Sequence, residues 1–216
     1  MKDTDKNKKV ILEVKNLYKK FGSNEVLKDF NLTLHEGENI VVLGKSGSGK
    51  SVLIKCIIGL LIPEKGEICA FGDQNISELN QEELDILRSK IGFLFQSNAL
   101  YDSMTVRENL LFPMRRHWLD KSEANEDELI MEALANVGLE HTVDMMPIEL
   151  SGGMRKRIAL ARTLILKPSI MLYDEPTTGL DPITSREISH LMVELQLKYK
   201  TSSLIITHDL SCVKIT

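Results

Sequence analysis

Gly44-Lys45-Ser46-Gly47-Ser48-Gly49-Lys50-Ser51 stands between the apolar run Ile40 to Leu43 and the helix-forming run Val52 to Ile58. The spacing is G-x-x-x-x-G-K-[ST], set in a strand, glycine loop and helix. Glycines let the backbone curl until consecutive N–H groups and a helix N-terminus face phosphate oxygens. Lys50 can then reach β and γ phosphates, and the Ser51 hydroxyl is placed to ligand Mg2+. A glycine loop at a strand end is also an ordinary structural device. The whole pattern in this context is rare enough by chance to favour phosphate binding.

A second stretch complements the first. Ile170-Met-Leu-Tyr173-Asp174-Glu175 is an apolar strand ending in two carboxylates. In a parallel sheet this places Asp174 at the carboxyl edge beside the phosphate loop, where it can hold Mg2+ through water. Glu175 can then orient or deprotonate an attacking water. Alone, the pattern is as common in surface turns.

Around these two stretches, short strand-like runs alternate with helical patterns, the mark of an α/β core with a mostly parallel sheet. The expected strands are Ile11 to Val14, Asn31 to Leu34, Asn39 to Leu43, Ile91 to Phe95, Ile170 to Tyr173 and Leu204 to Thr207. Asn31 to Leu34 alternates, so it is expected to be half exposed and antiparallel. Ile40 to Leu43, Ile170 to Leu172 and Leu204 to Ile206 are continuous apolar runs, expected to be covered on both faces. From Gln96 to Lys167 helix signals dominate. Thr105 with Glu108 and Asn80 with Glu83 resemble capping boxes. Acidic residues Glu123 to Glu128 lead into Leu129, Met131, Ala133, Leu134 and Val137, and Gly138 stands where a helix ends. The organisation expected is a single domain, 1–216, with 1–95 and 168–216 as the α/β core and 96–167 as a helical insertion.

Composition narrows the function classes. At 216 residues, 43% hydrophobic and 27% charged, the chain suits one globular domain with a sizeable core. Lys and Arg number 27 against 31 Asp and Glu, a formal charge of -4, which gives no general pull toward nucleic acid or anionic lipid. Cys56, Cys69 and Cys212 are widely spaced, so neither a disulfide framework nor a zinc site is suggested, and a reducing compartment fits. The polar start, Met1 to Lys9, leads into no signal-type segment. Apolar stretches such as Cys56 to Ile62 fall well short of the roughly 20 residues that cross a bilayer. Any membrane role is therefore expected to come through a partner.

Leu150-Ser151-Gly152-Gly153-Met154 opens a helix whose apolar positions Met154, Ile158, Ala161 and Ile165 fall at helical spacing, with Ser151 as N-cap. About twenty residues before the Asp-Glu pair, it resembles the LSGGQ signature of the ABC ATPases. Met154 replaces the final Gln, which puts in doubt only the polar contacts a Gln would make. The other motifs of that family follow in order. Gln96 matches the Q-loop, Gly179-Leu180-Asp181-Pro182 the D-loop, and His208 the switch histidine. Phe21 falls where the family places an aromatic on adenine. The resemblance runs from about Ile11 to the C-terminus.

The resemblance implies a P-loop NTPase fold: a RecA-like, mostly parallel sheet core with an N-terminal antiparallel β part and a helical subdomain. It implies ATP and Mg2+ as ligands. Phe21, Gly44, Lys45, Ser46, Gly47, Ser48, Gly49, Lys50, Ser51, Gln96 and Asp174 would contact the nucleotide. Ser51, Gln96 and Asp174 would serve the metal. Glu175, His208 and Lys50 would act in catalysis. Ser151, Gly152 and Gly153, with Asp181 nearby, would face ATP on a second ATPase subunit. An integral membrane permease would hold the pair on the cytoplasmic face of the inner membrane.

The segments Leu94 to Leu100, Met146 to Met154 and Asp181 to Thr184 are similar to ATPases of the Mla/Mce phospholipid transport systems, implying an MCE-type lipid-binding partner. ATPases of solute importers share every catalytic motif. Non-transport ABC proteins usually carry two cassettes or coiled-coil arms, which this chain lacks. Arg155-Lys156-Arg157 is expected to be a solvated helix face. The chain stops eight residues after His208, where the family normally continues with a helix and strands, so an incomplete C-terminus is expected.

Overall fold

A computed structural model describes residues 8–45, 47–72, 74–117 and 126–216. Among them are seven strands and seven α-helices, alternating except for the opening run of three strands and the three helices between the fifth and sixth strands. Strand β1 (Val10–Phe21) pairs antiparallel with β2 (Asn24–His35) and with β4 (Lys65–Ala70), forming a three-stranded sheet in the order β2-β1-β4. Strands β3 (Asn39–Leu43), β5 (Ile91–Leu94), β6 (Ile170–Asp174) and β7 (Ser202–Thr207) form a parallel sheet in the order β3-β7-β6-β5.

Helix α1 (Lys50–Ile57) follows β3, and α2 (Gln81–Ser89) precedes β5. The expected reciprocal cap of α2 forms: Glu83 N–H donates to Asn80 Oδ1 at 3.1 Å, and Asn80 N–H donates to Glu83 Oε2 at 2.8 Å. Between β5 and β6 lie α3 (Val106–His117), α4 (Glu126–Ala135) and α5 (Gly152–Leu164). Thr105 and Glu108 cap α3 reciprocally. The acidic lead-in to α4 lies outside the described residues at 123–125, while Glu126, Asp127 and Glu128 form its first turn. After α4, Leu139 N–H donates to Leu134 O and Gly138 N–H to Ala135 O, with Gly138 at φ 70°, the bonding of a Schellman stop. Helices α6 (Pro182–Tyr199) and α7 (Leu210–Ile215) flank β7 in sequence.

Two apolar clusters sandwich the parallel sheet. Leu172, Leu204 and Ile206 face a cluster shared with α1 and the antiparallel sheet, including Leu12, Leu34, Ile54 and Ile57. Met171, Tyr173 and Ile205 face the other, shared with α3, α4, α5 and α6. Strands β6 and β7 are buried throughout, as their apolar runs imply. For Ile40 to Leu43 the expectation of cover on both faces holds, but the burial is incomplete. β3 is an edge strand, only partly buried, and Leu43 is 51% exposed. Ile40 and Val42 pack on one cluster and Val41 on the other. An apolar run reports that both faces pack, but not whether a neighbour closes the outer edge.

The antiparallel part is larger than the sequence runs suggest. Ile11 to Val14 lies near the start of one twelve-residue strand, and Asn31 to Leu34 near the end of another. β4 gives little apolar signal, since Ile68 is its one fully buried residue. It needs Gly66, whose φ is 97° and whose absent Cβ would lie 2.5 Å from Asn16 O and 2.6 Å from Lys15 O. Gly138 is also left-handed but has nothing within 4 Å of that position. Gly138→Ala should therefore lower the unfolding free energy by about 1 kcal/mol through its backbone alone. Gly66→Ala adds a collision with β1 and should lower it by roughly 2–4 kcal/mol. Urea denaturation of the two variants checks the order, and equal losses would contradict it.

Candidate functional site

The parallel sheet delivers its polar residues to one edge. The loop after β3 turns through Gly47 and Gly49, at φ 78° and 91°, and Gly49 caps the start of α1. A Cβ on Gly49 would sit 2.5 Å from Val26 Cγ1 and 2.9 Å from Val26 O, so β2 can pass only a glycine there. Ser46 lies outside the described residues. The Lys50 ammonium is buried, donating to Gly44 O at 2.7 Å and Lys45 O at 2.9 Å. Ser48 N–H donates to Lys45 O, tightening the loop.

The Ser51 hydroxyl donates to Asp174 Oδ1 at 2.9 Å, joining the first turn of α1 to the end of β6. Burial pushes the Asp174 carboxyl upward, and the Ser51 hydrogen bond opposes that shift. Among the described residues no group of three or more His, Cys, Asp or Glu side chains could hold a metal ion. Magnesium is commonly held by one or two protein oxygens, with phosphate and water completing the shell. The hard-oxygen pair of Ser51 and Asp174 beside a phosphate-type loop fits that demand.

Glu175, 7% exposed, follows in the left-handed region at φ 51°, unusual for a side chain of its size. Its amide donates to Ile206 O at 2.8 Å, which holds the turn against β7. Its carboxylate meets Lys50 Nζ at 3.3 Å through Oε1 and His208 Nδ1 at 2.7 Å through Oε2. Thr178 Oγ1 and the His208 amide also donate to Oε2, each at 3.3 Å. Thr177 Oγ1 donates to Asp209 Oδ2 at 3.0 Å, bracing this turn against the one after β7. Thr177, Thr178 and Asp209 were not singled out from the sequence. Their adjacency to Glu175 and His208 was the available signal.

The remaining candidates lie around this centre. Phe21 ends β1, is 49% exposed, and has Lys19 Nζ 5.4 Å from its ring centroid. Its strand partner is Asn24, two residues before the Val26 that covers Gly49. Gln96 is exposed, and among the described residues no hydrogen bond joins its side chain to Ser51 or Asp174. Ser151 caps α5, its Oγ accepting from Met154 N–H at 3.2 Å. A Cβ on Gly153 would meet Thr184 Cγ2 at 2.8 Å, so α6 crowds this helix start. Asp181 caps α6, accepting from the amides of Ile183 and Thr184 at 3.0 Å.

One expectation fails. Arg155-Lys156-Arg157 is not a solvated face. Arg155 donates to Leu150 O at 2.7 Å, and Arg157 pairs with Glu187 at 2.8 Å. Lys156 is 1% exposed and donates to Gln96 O at 3.1 Å. Burial lowers its ammonium to about 8, with nearby Asp174 opposing the shift. A long flexible stem let the charge turn inward to a carbonyl sixty residues earlier, which no local pattern reveals.

A glycine loop over a helix N-terminus, with a lysine, a hydroxyl and two carboxylates at parallel strand ends, defines a P-loop nucleotide-binding cassette. The chain belongs to the ABC transporter family, whose model matches residues 27–178. It is similar to the probable ribonucleotide transport ATP-binding protein Mkl of Mycobacterium tuberculosis, 43% identical over 95% of this chain and 56% of that protein. It is 39% identical to the intermembrane phospholipid transport system ATP-binding protein MlaF of Haemophilus influenzae, over 92% of this chain and 75% of that one. The chain thus spans little more than half the length of its mycobacterial relative. A dimeric post-hydrolysis ATP-binding cassette bound to ADP and Pi matches with a TM-score of 0.83 and 34% identity, covering 95% of this chain and 91% of that one. No helix among the described residues is long and apolar enough to cross a membrane.

The raised Asp174 carboxyl makes a stability prediction. A carboxylate whose folded value lies above its unfolded value favours the fold when protonated, and loses that contribution as pH rises through the folded value. In metal-free buffer near about pH 8, Asp174→Asn should therefore raise Tm, keeping an acceptor for Ser51 without the buried charge. The advantage should shrink as pH falls. A lower Tm for the variant across the range would refute the burial account.

Proposed function

We propose that this chain is the ATP-binding and ATP-hydrolysing subunit of a membrane transporter, working in pairs on the cytoplasmic face of a permease. The observation that carries the reading is the convergence of Lys50, Ser51, Asp174, Glu175 and His208 at the carboxyl ends of three adjacent parallel strands. Loop 44–51 cradles the phosphates with its amides, and Lys50 leaves its carbonyls for the β and γ oxygens. Ser51 and Asp174, joined by Gln96, would hold Mg2+. When bound, the ion neutralises charge building between phosphoryl oxygens.

Glu175 orients the attacking water and accepts its proton, while His208 steadies the carboxylate and faces the γ-phosphate. Phe21 stacks on adenine. The strained Glu175 backbone supports this role, because such conformations persist where the surroundings enforce them. The unit acts as one domain, 1–95 and 168–216 binding nucleotide and 96–167 forming the helical part.

Ser151, Gly152 and Gly153 open a thirteen-residue helix whose amides form an anion site. No described hydrogen bond ties them to loop 44–51 of the same chain. Two copies related by a twofold would bring each signature to the other's nucleotide, using both surfaces twice. Asp181 borders this surface. The dimeric neighbour supports that arrangement.

Residues 97–105 and the adjoining groove along α3, lined by Met104, Leu111, Phe112 and Arg115, suit a permease contact. The MlaF relative supports phospholipid as cargo, with an MCE-type protein as further partner. A solute importer would share the nucleotide site, so the permease that crosslinks from 97–105 discriminates between cargoes.

Glu175→Gln should keep MgATP affinity and slow turnover about 10²- to 10⁴-fold. Lys50→Ala should instead lose affinity in a direct titration. Near-normal hydrolysis by the first, or unchanged binding by the second, removes the assigned role. In the Glu175→Gln background MgATP should drive dimerisation in sedimentation experiments, and Ser151→Arg should abolish it. A Glu175→Gln protein that stays monomeric at saturating MgATP, with hydrolysis untouched by Ser151→Arg, would defeat the shared-site mechanism.

A further inference from the structure

We propose that Lys156, assisted by Arg162, is a positioning residue that locks the backbone of the Gln96 loop to the helix beginning at Ser151. The inference rests on the ATPase reading above and assigns that site a component outside the nucleotide contacts.

The geometry is a clamp with two arms on one helix. From the first turns of α5, Lys156 Nζ donates to Gln96 O at 3.1 Å. Further along the same helix, Arg162 donates to Asn98 O and to Asn109 Oδ1, each at 3.3 Å, and its guanidinium carbon lies 5.6 Å from the Tyr101 ring centroid. At the second grip and just after it, Asn98 and Ala99 both sit in the left-handed region, at φ 64° and 52°. Two consecutive non-glycine residues keep that conformation only where the surroundings enforce it. Asn109, itself buried, completes the frame. It accepts from Tyr101 N–H at 2.9 Å and donates to the carbonyls of Tyr101, Met104 and Thr105.

Folding alone does not explain Lys156. A buried ammonium is disfavoured by desolvation, and replacing buried charges with apolar groups of similar volume is often neutral or stabilising. Its direct consequence is mechanical. Ser151 to Gly153 and the Gln96 carbonyl become parts of one rigid body. When a facing nucleotide fixes the start of α5, Gln96 is fixed with it, relative to Asp174 of its own subunit. Lys156 thus links the arrival of the second subunit to the alignment of the first subunit's metal and water.

The test compares the wild-type full protein with Lys156→Met, Lys156→Arg and Arg162→Leu. Hydrogen exchange without nucleotide reads the clamp itself. Amides of residues 97–101 should exchange about tenfold faster in Lys156→Met and Arg162→Leu, while those of β6 and β7 are unchanged. In MgATP hydrolysis, kcat should fall about 10- to 100-fold with KM changed by less than about threefold, the pattern of lost alignment and retained binding. Lys156→Arg, which keeps a donor, should recover most of both. A merely structural lysine would lower Tm and leave kcat per folded molecule alone. Arg162→Leu loosens the same loop from the other arm, so the proposal stays testable if Lys156→Met folds poorly.

Wild-type exchange at 97–101 in both variants overturns the clamp. Faster exchange with unchanged kcat overturns its role in alignment. Absence of MgATP turnover in the wild type removes the ATPase reading and this inference together, whereas a turning-over wild type matched by Lys156→Met removes the inference alone.

Discussion

The Glu175 carboxylate is the keystone of the site. It is almost fully buried, and a buried carboxylate is tolerated only when paired and hydrogen-bonded. Its partners come from three places: Lys50 from the start of α1 after β3, Thr178 from its own turn, and His208 from the turn after β7. That set exists only because β7 lies between β3 and β6. The strand order is therefore as much a part of the chemistry as the side chains.

The neighbourhood is assembled from groups that each disfavour the nucleotide-free fold. Asp174 is held at a raised value by burial, Glu175 in a left-handed backbone, and Lys156 as a desolvated ammonium. Such features persist because surrounding packing over-determines them. Here the packing is the pair of apolar clusters on the two sheet faces, with β6 and β7 buried between them. The site concentrates charge and strain, and the sheet beneath it supplies the stability.

Much of this was legible in the sequence because phosphate and metal chemistry demand residues at fixed short spacings. Loop 44–51, the end of β6 and the cap at Ser151 lie where the motifs place them. Long apolar strands were legible too, and Asn39–Leu43 matches to the residue. What the pattern could not carry were facts fixed by partners far along the chain. The edge position of β3 depends on which strands flank it. β4 pairs through its backbone with only Ile68 fully buried. Lys156 read as surface because a charged run on a helix usually is, whereas its acceptor is set by tertiary packing. The φ of Glu175 and its contact with His208 likewise belong to the assembled sheet.

The register of β3 also bears on how the chain is made. Asn39 pairs with Ser203, and Leu43 with Thr207, so the strand that launches the phosphate loop waits for nearly the whole described chain before its neighbour exists. Parallel pairings of such long sequence separation close slowly, because loop entropy must be overcome before the contacts form. During synthesis the antiparallel sheet of β1, β2 and β4 can form early, while Ile40 to Leu43 stays an uncovered apolar segment of the kind that aggregates. The nucleotide site is thus among the last parts to be completed. A nascent chain halted before β7 would carry its phosphate-loop sequence without the strand that holds it in place.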